Sequence, residues 1–533
     1  MTITCDYLVI GGGSAGCVLA RRLSDDPAKK VVLVEAGPAR ETLMVRMPAG
    51  FAYAISSRRF DWNYESEPEP ALGGRIVPCP RGRVLGGSSA INAMAFVRGT
   101  AQDYDGWAAQ IGPEWSYRKC LPYFKRIETY SGGASPYRGG DGPLYVQRPR
   151  YSSPLNDLFL SASQEAGFPG NPDPNAASLE GFGPMDQTIA QGQRASAARA
   201  YLSPVVPRPN LRILADTGAT RLIVAGMKVL GAHVTGPHFS GEIHAGETIS
   251  CAGAINSPKL LLLSGIGPAE TLEAAGIAVT HALPGVGRNL QDHVDISVRQ
   301  YSVATNSMTA LLWEPKRTLT GLRWLLRRDG PCATNHFEVA GYIRTRESLP
   351  TPNIQICFIP LLVGSDGQPI GRNHGFQATV MLLHPSSRGR ISLRDSDPAS
   401  PPRVLFNYLS DADEAKQLVE GIRATRRIFS QPALRKISGK ELEPGDQVES
   451  DPKLRDFVLR TAKSTHHPCG TCRMGPSDDP EAVVDGVGRV HGLAGLRVVD
   501  ASVMPRITSG NINAPVLMIA EKIAASITGS VAG

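Results

Sequence analysis

The sequence predicts an α/β protein (α+β overall). A Rossmann-like dinucleotide-binding domain, discontinuous along the chain, is joined to a substrate domain of antiparallel sheet and helices. Three observations carry this prediction. A glycine-rich turn lies between an apolar strand and a helix at the N-terminus, in CDYLVIGGGSAG. Strand and helix patterning of the same kind returns near residues 496–525. Between them, residues 300–450 alternate or run apolar like a separate sheet with helices.

Composition sets the outer limits. A chain of 533 residues exceeds one compact core. Its 42% hydrophobic and 20% charged content is that of a globular protein. The net charge of +7 comes from 56 basic and 49 acidic residues, and pairs such as Arg426-Arg427 and Arg327-Arg328 are short. That excludes a nucleic-acid stripe but is compatible with peripheral contact with an anionic membrane. Nine scattered cysteines do not read as a disulfide framework, and Cys469-Gly-Thr-Cys472 lacks the second ligand pair of a zinc site, so no metal is expected. Apolar stretches such as Lys259–Leu263 are too short to span a bilayer. The first strand begins within a few residues of Met1, which leads to the expectation of a cytoplasmic protein. Oligomeric state is left open.

In order, Asp6–Ile10 reads as a buried strand, Gly11–Gly16 as a turn and Ala15–Leu23 as a helix. Val31–Val34 is a second strand ending at Glu35. Residues 40–80, rich in Pro, Gly and charge, read as a surface excursion, and Glu114–Tyr130 has helical spacing. Leu211–Leu214, Arg221–Ala225, Gly231–Val234 and a stretch ending at Ser250–Gly253 read as strands. Ser257–Ser264 begins a helix with Pro258 early, where a missing N–H costs little. Asn353–Ile359, Gln377–Leu383 and Arg390–Leu393 are strand candidates. An amphipathic helix follows, with Ser410 as cap, Asp413 at the capping-box position, and Leu418, Val419, Ile422 and Phe429 on one face. The resulting division is 1–150, 196–300 and 461–533 for the cofactor, with 151–195 and 301–460 for the substrate.

Gly11-Gly12-Gly13-Ser14-Ala15-Gly16 fits G-x-G-x-x-G between strand and helix. Gly11 permits the tight turn, Gly13 lets a pyrophosphate approach, and Gly16 lets helix pack on strand, with the phosphates at the positive end of the helix. Glu35, 19 residues after Gly16, is placed to receive a ribose hydroxyl and disfavours a 2′-phosphate. The fingerprint alone does not separate FAD from NAD.

Two further segments do. Gly82-Arg83-Val84-Leu85-Gly86-Gly87-Ser88-Ser89-Ala90-Ile91-Asn92 resembles the first signature of the glucose–methanol–choline (GMC) oxidoreductases, and Gly253-Ala254-Ile255-Asn256-Ser257-Pro258 the second. The resemblance continues through Gly285–His293 and the C-terminal segments. It is strongest toward the choline dehydrogenase and aliphatic alcohol dehydrogenase branch, as in Asn335-His336-Phe337-Glu338. It implies FAD, contacted by Gly11, Gly13, Ser14, Ala15, Gly16, Glu35, Ala36, Arg83, Gly86, Gly87, Ser88, Asn92, Ala93, Asp500, Ala501, Asn511 and Asn513. Some relatives tether the flavin through a histidine in this loop. The aligned residue here is Ile91, so the FAD is expected to be non-covalent.

Within THHPCGTCRMG and DASVMPRITSGNINAP, the resemblance maps a catalytic pair onto His467 and Asn511. Alcohol oxidation needs a base for the hydroxyl proton and a partner that orients the oxygen, with hydride passing to flavin N5, and histidine suits the first task. The implied reaction is oxidation of a primary alcohol to an aldehyde, with oxygen or a quinone-like acceptor taking the electrons. Alternatives are choline dehydrogenase proper and a non-redox hydroxynitrile-lyase type. His466 stands where choline-type relatives carry an aromatic, and it is a candidate pocket residue together with Glu338. An imidazole there weakens an aromatic cage for a quaternary ammonium, for which Trp62 and Tyr53 are candidates to compensate. His293 and His336 read as structural or cofactor-adjacent.

Overall fold

The apolar runs that flank the glycine turn assemble as parallel strands. The computed structural model describes residues 2–305, 307–364 and 368–530. In it, Leu211–Leu214, Val31–Val34, Thr2–Ile10 and Gly241–Ser250 lie side by side and parallel. Lys228–Thr235 and Gly218–Ala225 extend this sheet in antiparallel fashion, and Leu496–Val498 pairs parallel with the end of Gly241–Ser250. Val31–Val34 and the Leu8–Ile10 end of the first strand are buried, and burial on both faces of a parallel sheet explains their continuous apolar runs. The helix Ser14–Leu23 packs against the C-terminal helix Asn513–Thr528. Between these helices, Arg22 donates to the buried Glu521 carboxylate through two bonds of 2.9 and 2.8 Å.

A second seven-stranded sheet is wholly antiparallel, in the order Ser438–Glu443, Val294–Ser302, Gly375–Leu382, Ile354–Ile359, Val339–Ile343, Gly181–Pro184, with Lys463–Ser464 paired to Val294–Asp295. Strand alternation divides its faces. Ile296, Val298, Ile356, Phe358 and Val380 pack with Leu418, Ile422 and Phe429 of the helix Ala412–Phe429. Asp295, Ser297, Gln355 and Thr379 face the other way, onto a cavity. The boundary expected at residue 300 falls inside the strand Val294–Ser302.

Four local expectations change. The helix expected from Ser257 begins at Gly253, so Pro258 lies inside it rather than in its first turn. Proline cannot donate to the Ala254 carbonyl; the Thr471 hydroxyl does so instead, at 2.6 Å. Asp411, not Ser410, caps the helix Ala412–Phe429, its carboxylate accepting from Asp413 N at 3.0 Å. The Ser410 hydroxyl is committed to Ser387 Oγ at 2.9 Å. Glu114–Tyr130 is not one helix but a turn, the helix Tyr117–Ile127 and the strand Glu128–Tyr130. Residues 40–80 are no mere surface excursion, because Phe60, Tyr64, Leu72, Val77 and Cys79 are buried.

The helix Lys316–Arg327 is anchored by Trp324, its one buried residue, whose indole N–H donates to Gly192 O at 2.7 Å. Leu319, Leu322 and Leu326 fall on the opposite side and are exposed, Leu326 by 81%. No helix among the described residues is long and apolar enough to cross a membrane.

Candidate active site

A cavity of 1180 Å³ runs from the glycine turn to the second sheet. That exceeds the ~300–1,000 Å³ common for one drug-sized ligand. The glycines at its first end differ in what demands them. Gly11 has φ +100°, and a Cβ there would lie 2.6 Å from Cys251 O. A Cβ at Gly16 would lie 1.9 Å from Gly11 O. Both are required by the protein's own packing. Gly13 is not: its φ is −76°, and among the described residues beyond its chain neighbours a Cβ would meet no atom nearer than 3.9 Å. It lines the cavity, so a side chain would intrude on space that a pyrophosphate would occupy.

The remaining cofactor candidates divide by position. Ser14, Ala15, Glu35, Ala36, Gly87, Ser88, Asn92, Ala93, Asp500, Ala501, Asn511 and Asn513 line the cavity, as does Ile91, whose aliphatic side chain offers no nucleophile for a flavin tether. Glu35 accepts from Gly12 N at 2.9 Å and Gly37 N at 2.8 Å, and burial pushes its carboxyl up to about 7. Ser14 donates to Asn513 Oδ1 at 2.7 Å, linking the turn to the C-terminal helix. Asp500 accepts from Gly253 N at 2.8 Å and Ser257 Oγ at 2.6 Å, tying the second signature segment to the C-terminal segment. Arg83, Gly86 and Gly16 stand behind the wall. Arg83 lies over the Trp62 ring at 5.1 Å, and Gly86 N donates to Gly12 O at 2.7 Å. The set fits an FAD at this end of the cavity, with a bare backbone at Gly13 for phosphates and a carboxylate at Glu35 for a ribose.

His467 and Asn511 meet: Asn511 Nδ2 lies 3.1 Å from His467 Nε2. The His467 loop is held by a buried carboxylate. Asp292 accepts from the His467 backbone N–H at 2.7 Å and from the hydroxyls of Tyr408 and Ser464. The protonation of His467 follows from its neighbours. His293 Nε2 faces the Leu383 carbonyl at 3.1 Å and must therefore carry the proton. Burial holds the pKa of His293 down at about 3, so its other nitrogen, Nδ1, is a bare acceptor. That atom lies 3.0 Å from His467 Nδ1, which must donate. Thr465 Oγ1 gives its own proton to His293 O at 2.9 Å, and at 3.3 Å it too can only accept from His467 Nδ1. His467 Nε2 is thus left with its lone pair toward Asn511 and the cavity. Burial first, then the neighbouring His293, Arg81 and His466, hold the His467 pKa well below the ordinary value, so the ring is neutral.

His466 also lines the cavity, half-buried, with φ +67° and, among the described residues, no hydrogen-bond partner for Nδ1. Burial, with Arg81 and Lys463 nearby, holds its pKa down at about 3, so it brings no charge to the pocket. Glu338 is off the cavity wall and committed, accepting from Thr334 Oγ1 at 2.7 Å and Asn156 Nδ2 at 3.1 Å. Trp62 lines the cavity and stacks on Tyr64, with ring centroids 5.8 Å apart. Tyr53 is exposed and off it. Cys469 and Cys472 are buried free thiols, their pKa values raised by burial. Sequence reasoning missed Asp292 and His293 as supports of the pair. Their signal was adjacency within the Gly285–His293 segment, but the contact to His467 spans 174 positions.

Sequence models of the GMC oxidoreductase family match residues 5–295 and 385–520. An oxygen-dependent choline dehydrogenase of Paraburkholderia phymatum is 46% identical over 98% of this chain and 92% of its own length. That of Brucella anthropi is 43% identical over 98% and 95%. Among solved structures, the pyridoxine 4-oxidase of Mesorbium loti superposes with a TM-score of 0.90 at 33% identity, covering 98% of this chain and 99% of its own. A formate oxidase gives 0.93 at 26%, covering 99% and 98%. With the dinucleotide turn, both signature segments and the imidazole–amide pair on one cavity, the chain belongs to the GMC oxidoreductase family and is an FAD-dependent enzyme that oxidises alcohols.

Proposed function

We propose that His467 is the general base that takes the hydroxyl proton of a primary alcohol on its way to an aldehyde, and that Asn511 orients the alcohol oxygen. The observation that carries this is the hydrogen-bond order from the Leu383 carbonyl through His293 to His467, which leaves the Nε2 lone pair facing the cavity. A bridging alcohol hydroxyl donates to Nε2 and accepts from Asn511 Nδ2–H, replacing their direct contact, so the amide stabilises negative charge as the proton leaves. Bound FAD supplies the two-electron acceptance this oxidation requires. Gly11, Gly13, Ser14, Ala15, Glu35, Asp500, Ala501, Asn511 and Asn513 would hold it, and the second sheet would close the alcohol in.

The same reading assigns the cofactor to residues 1–150, 196–293 and 461–533, and the alcohol to 151–195 and 294–460. The names of the relatives support oxygen as electron acceptor and favour choline as the second reading. Peripheral membrane contact belongs to the same proposal, through the outward leucines of Lys316–Arg327 and its flanking basic residues. The decisive experiment is anaerobic stopped-flow absorbance of His467→Ala holoprotein. The yellow protein should form, with flavin reduction slower by about 10²–10⁴-fold. Reduction at the wild-type rate would remove His467 from the role.

A further inference from the structure

The inner face of the second sheet presents polar groups that the chemistry just described does not use. Asp295 Oδ1, Ser297 Oγ and Gln355 Oε1 belong to side chains that are each more than nine-tenths buried, line the cavity, and have no hydrogen-bond partner among the described residues. Their placement is fixed by register. Asp295 pairs across to Met381, which pairs to Gln355, so these three form one row over three strands. Ser297 follows two residues along on the same face, about 7 Å from Asp295. Asp295 also adjoins the loop that carries His467, because it pairs with Lys463. The Lys463 ammonium stands 3.7 Å from Oδ1, near enough to offset charge and too far to donate a hydrogen bond.

Resting on the alcohol-oxidation reading, we propose that this row is a recognition subsite for the far end of the substrate, and that the substrate is a primary alcohol bearing further O–H or N–H donors. Two of the three atoms, the carboxylate and amide oxygens, can only accept, and the Ser297 hydroxyl can also accept. A purely aliphatic alcohol would leave them desolvated and unpaired. A quaternary ammonium offers charge but no N–H. Lys463 already offsets the Asp295 carboxylate, so hydroxyl donors serve as well as a protonated amine.

Matched pairs test this on the holoenzyme by anaerobic flavin reduction. One pair is pentan-1-ol against pentane-1,5-diol. The other is choline against protonated N,N-dimethylethanolamine, which keeps the charge and gains one N–H. The donor-bearing member of at least one pair should show a second-order rate constant for flavin reduction higher by about tenfold or more. An advantage confined to the diol assigns a polyol, and one confined to the amine an amino alcohol. Ser297→Ala/Gln355→Leu should bring the ratio toward one. Equal values within both pairs, or a ratio that survives the double substitution, would overturn the subsite while leaving alcohol oxidation standing. A flavin left oxidised by all four alcohols would overturn both.

Discussion

Replacing His293 should slow flavin reduction without touching substrate or cofactor. In His293→Leu the acceptor for His467 Nδ1–H, now 3.0 Å away, is removed, and so is the donor to the Leu383 carbonyl. Thr465 Oγ1 remains at 3.3 Å, so the tautomer is weakened rather than inverted outright. A proton on His467 Nε2 would face the Asn511 amide N–H, and that clash would turn the amide away. Loss of one buried hydrogen bond and orphaning of its partner together cost about 1–3 kcal/mol. Placed on the barrier, this is about 5- to 150-fold in rate. The assay is anaerobic stopped-flow on yellow holoprotein, with His293→Gln as control. Glutamine Oε1 can accept from Nδ1–H while Nε2 donates to Leu383 O, so it should recover much of the rate. Full FAD content with a wild-type rate in His293→Leu, or a glutamine no better than leucine, would refute the tautomer argument.

Three other outcomes are expected. Gly13→Ala should keep apoprotein stability within about 1 kcal/mol, since φ −76° suits alanine. It should weaken FAD binding by at least about tenfold, read by fluorescence titration. Gly16→Ala, with its 1.9 Å collision, should fail to fold, and full FAD retention in Gly13→Ala would refute the cradle. Burial holds His336 at about 4, below its ordinary 6.5, so below pH 6.5 the unfolded chain binds a proton that the folded one refuses. Stability is therefore lost as pH falls from 6.5 toward 4, by about 2 kcal/mol at pH 5 from this group. Asparagine also tolerates the φ of +62°, so His336→Asn should shrink the drop in denaturant midpoint between pH 7 and 5; an unchanged drop refutes it. Wild-type protein should sediment with anionic vesicles and be released by salt, and Leu322→Asp/Leu326→Asp should abolish this. Binding that survives the substitution would clear the helix Lys316–Arg327 of the role.

The parts of the molecule that were legible in sequence are those where a local requirement leaves few residue choices. Gly16 is imposed by a collision with Gly11 O inside a single strand–turn–helix, and Gly11 turns that same stretch at φ +100°, so the cofactor end could be read from one stretch of chain. The pairing of His467 with Asn511 was legible because two family segments carry it. What escaped is satisfied from far away. Pro258 sits inside a helix because Thr471, 217 positions distant, supplies the missing donor, and no helix-propensity argument contains that residue. The tautomer of His467 depends on Leu383 and His293, which propensity and periodicity ignore.

The second sheet shows the same limit in another form. The alternation in Asp295-Ile296-Ser297-Val298 marks a two-faced strand. It does not say whether the polar face meets water, a helix or a cavity. In the fold the apolar face is taken by the helix Ala412–Phe429, which leaves Asp295, Ser297 and Gln355 facing the active-site space, where an ordinary solvent face would be wasted. Substrate choice therefore rests on polar positions whose pattern is that of any surface strand. Only the placement of that helix turns them into a binding wall, and substitutions there should alter specificity while the cofactor end remains intact.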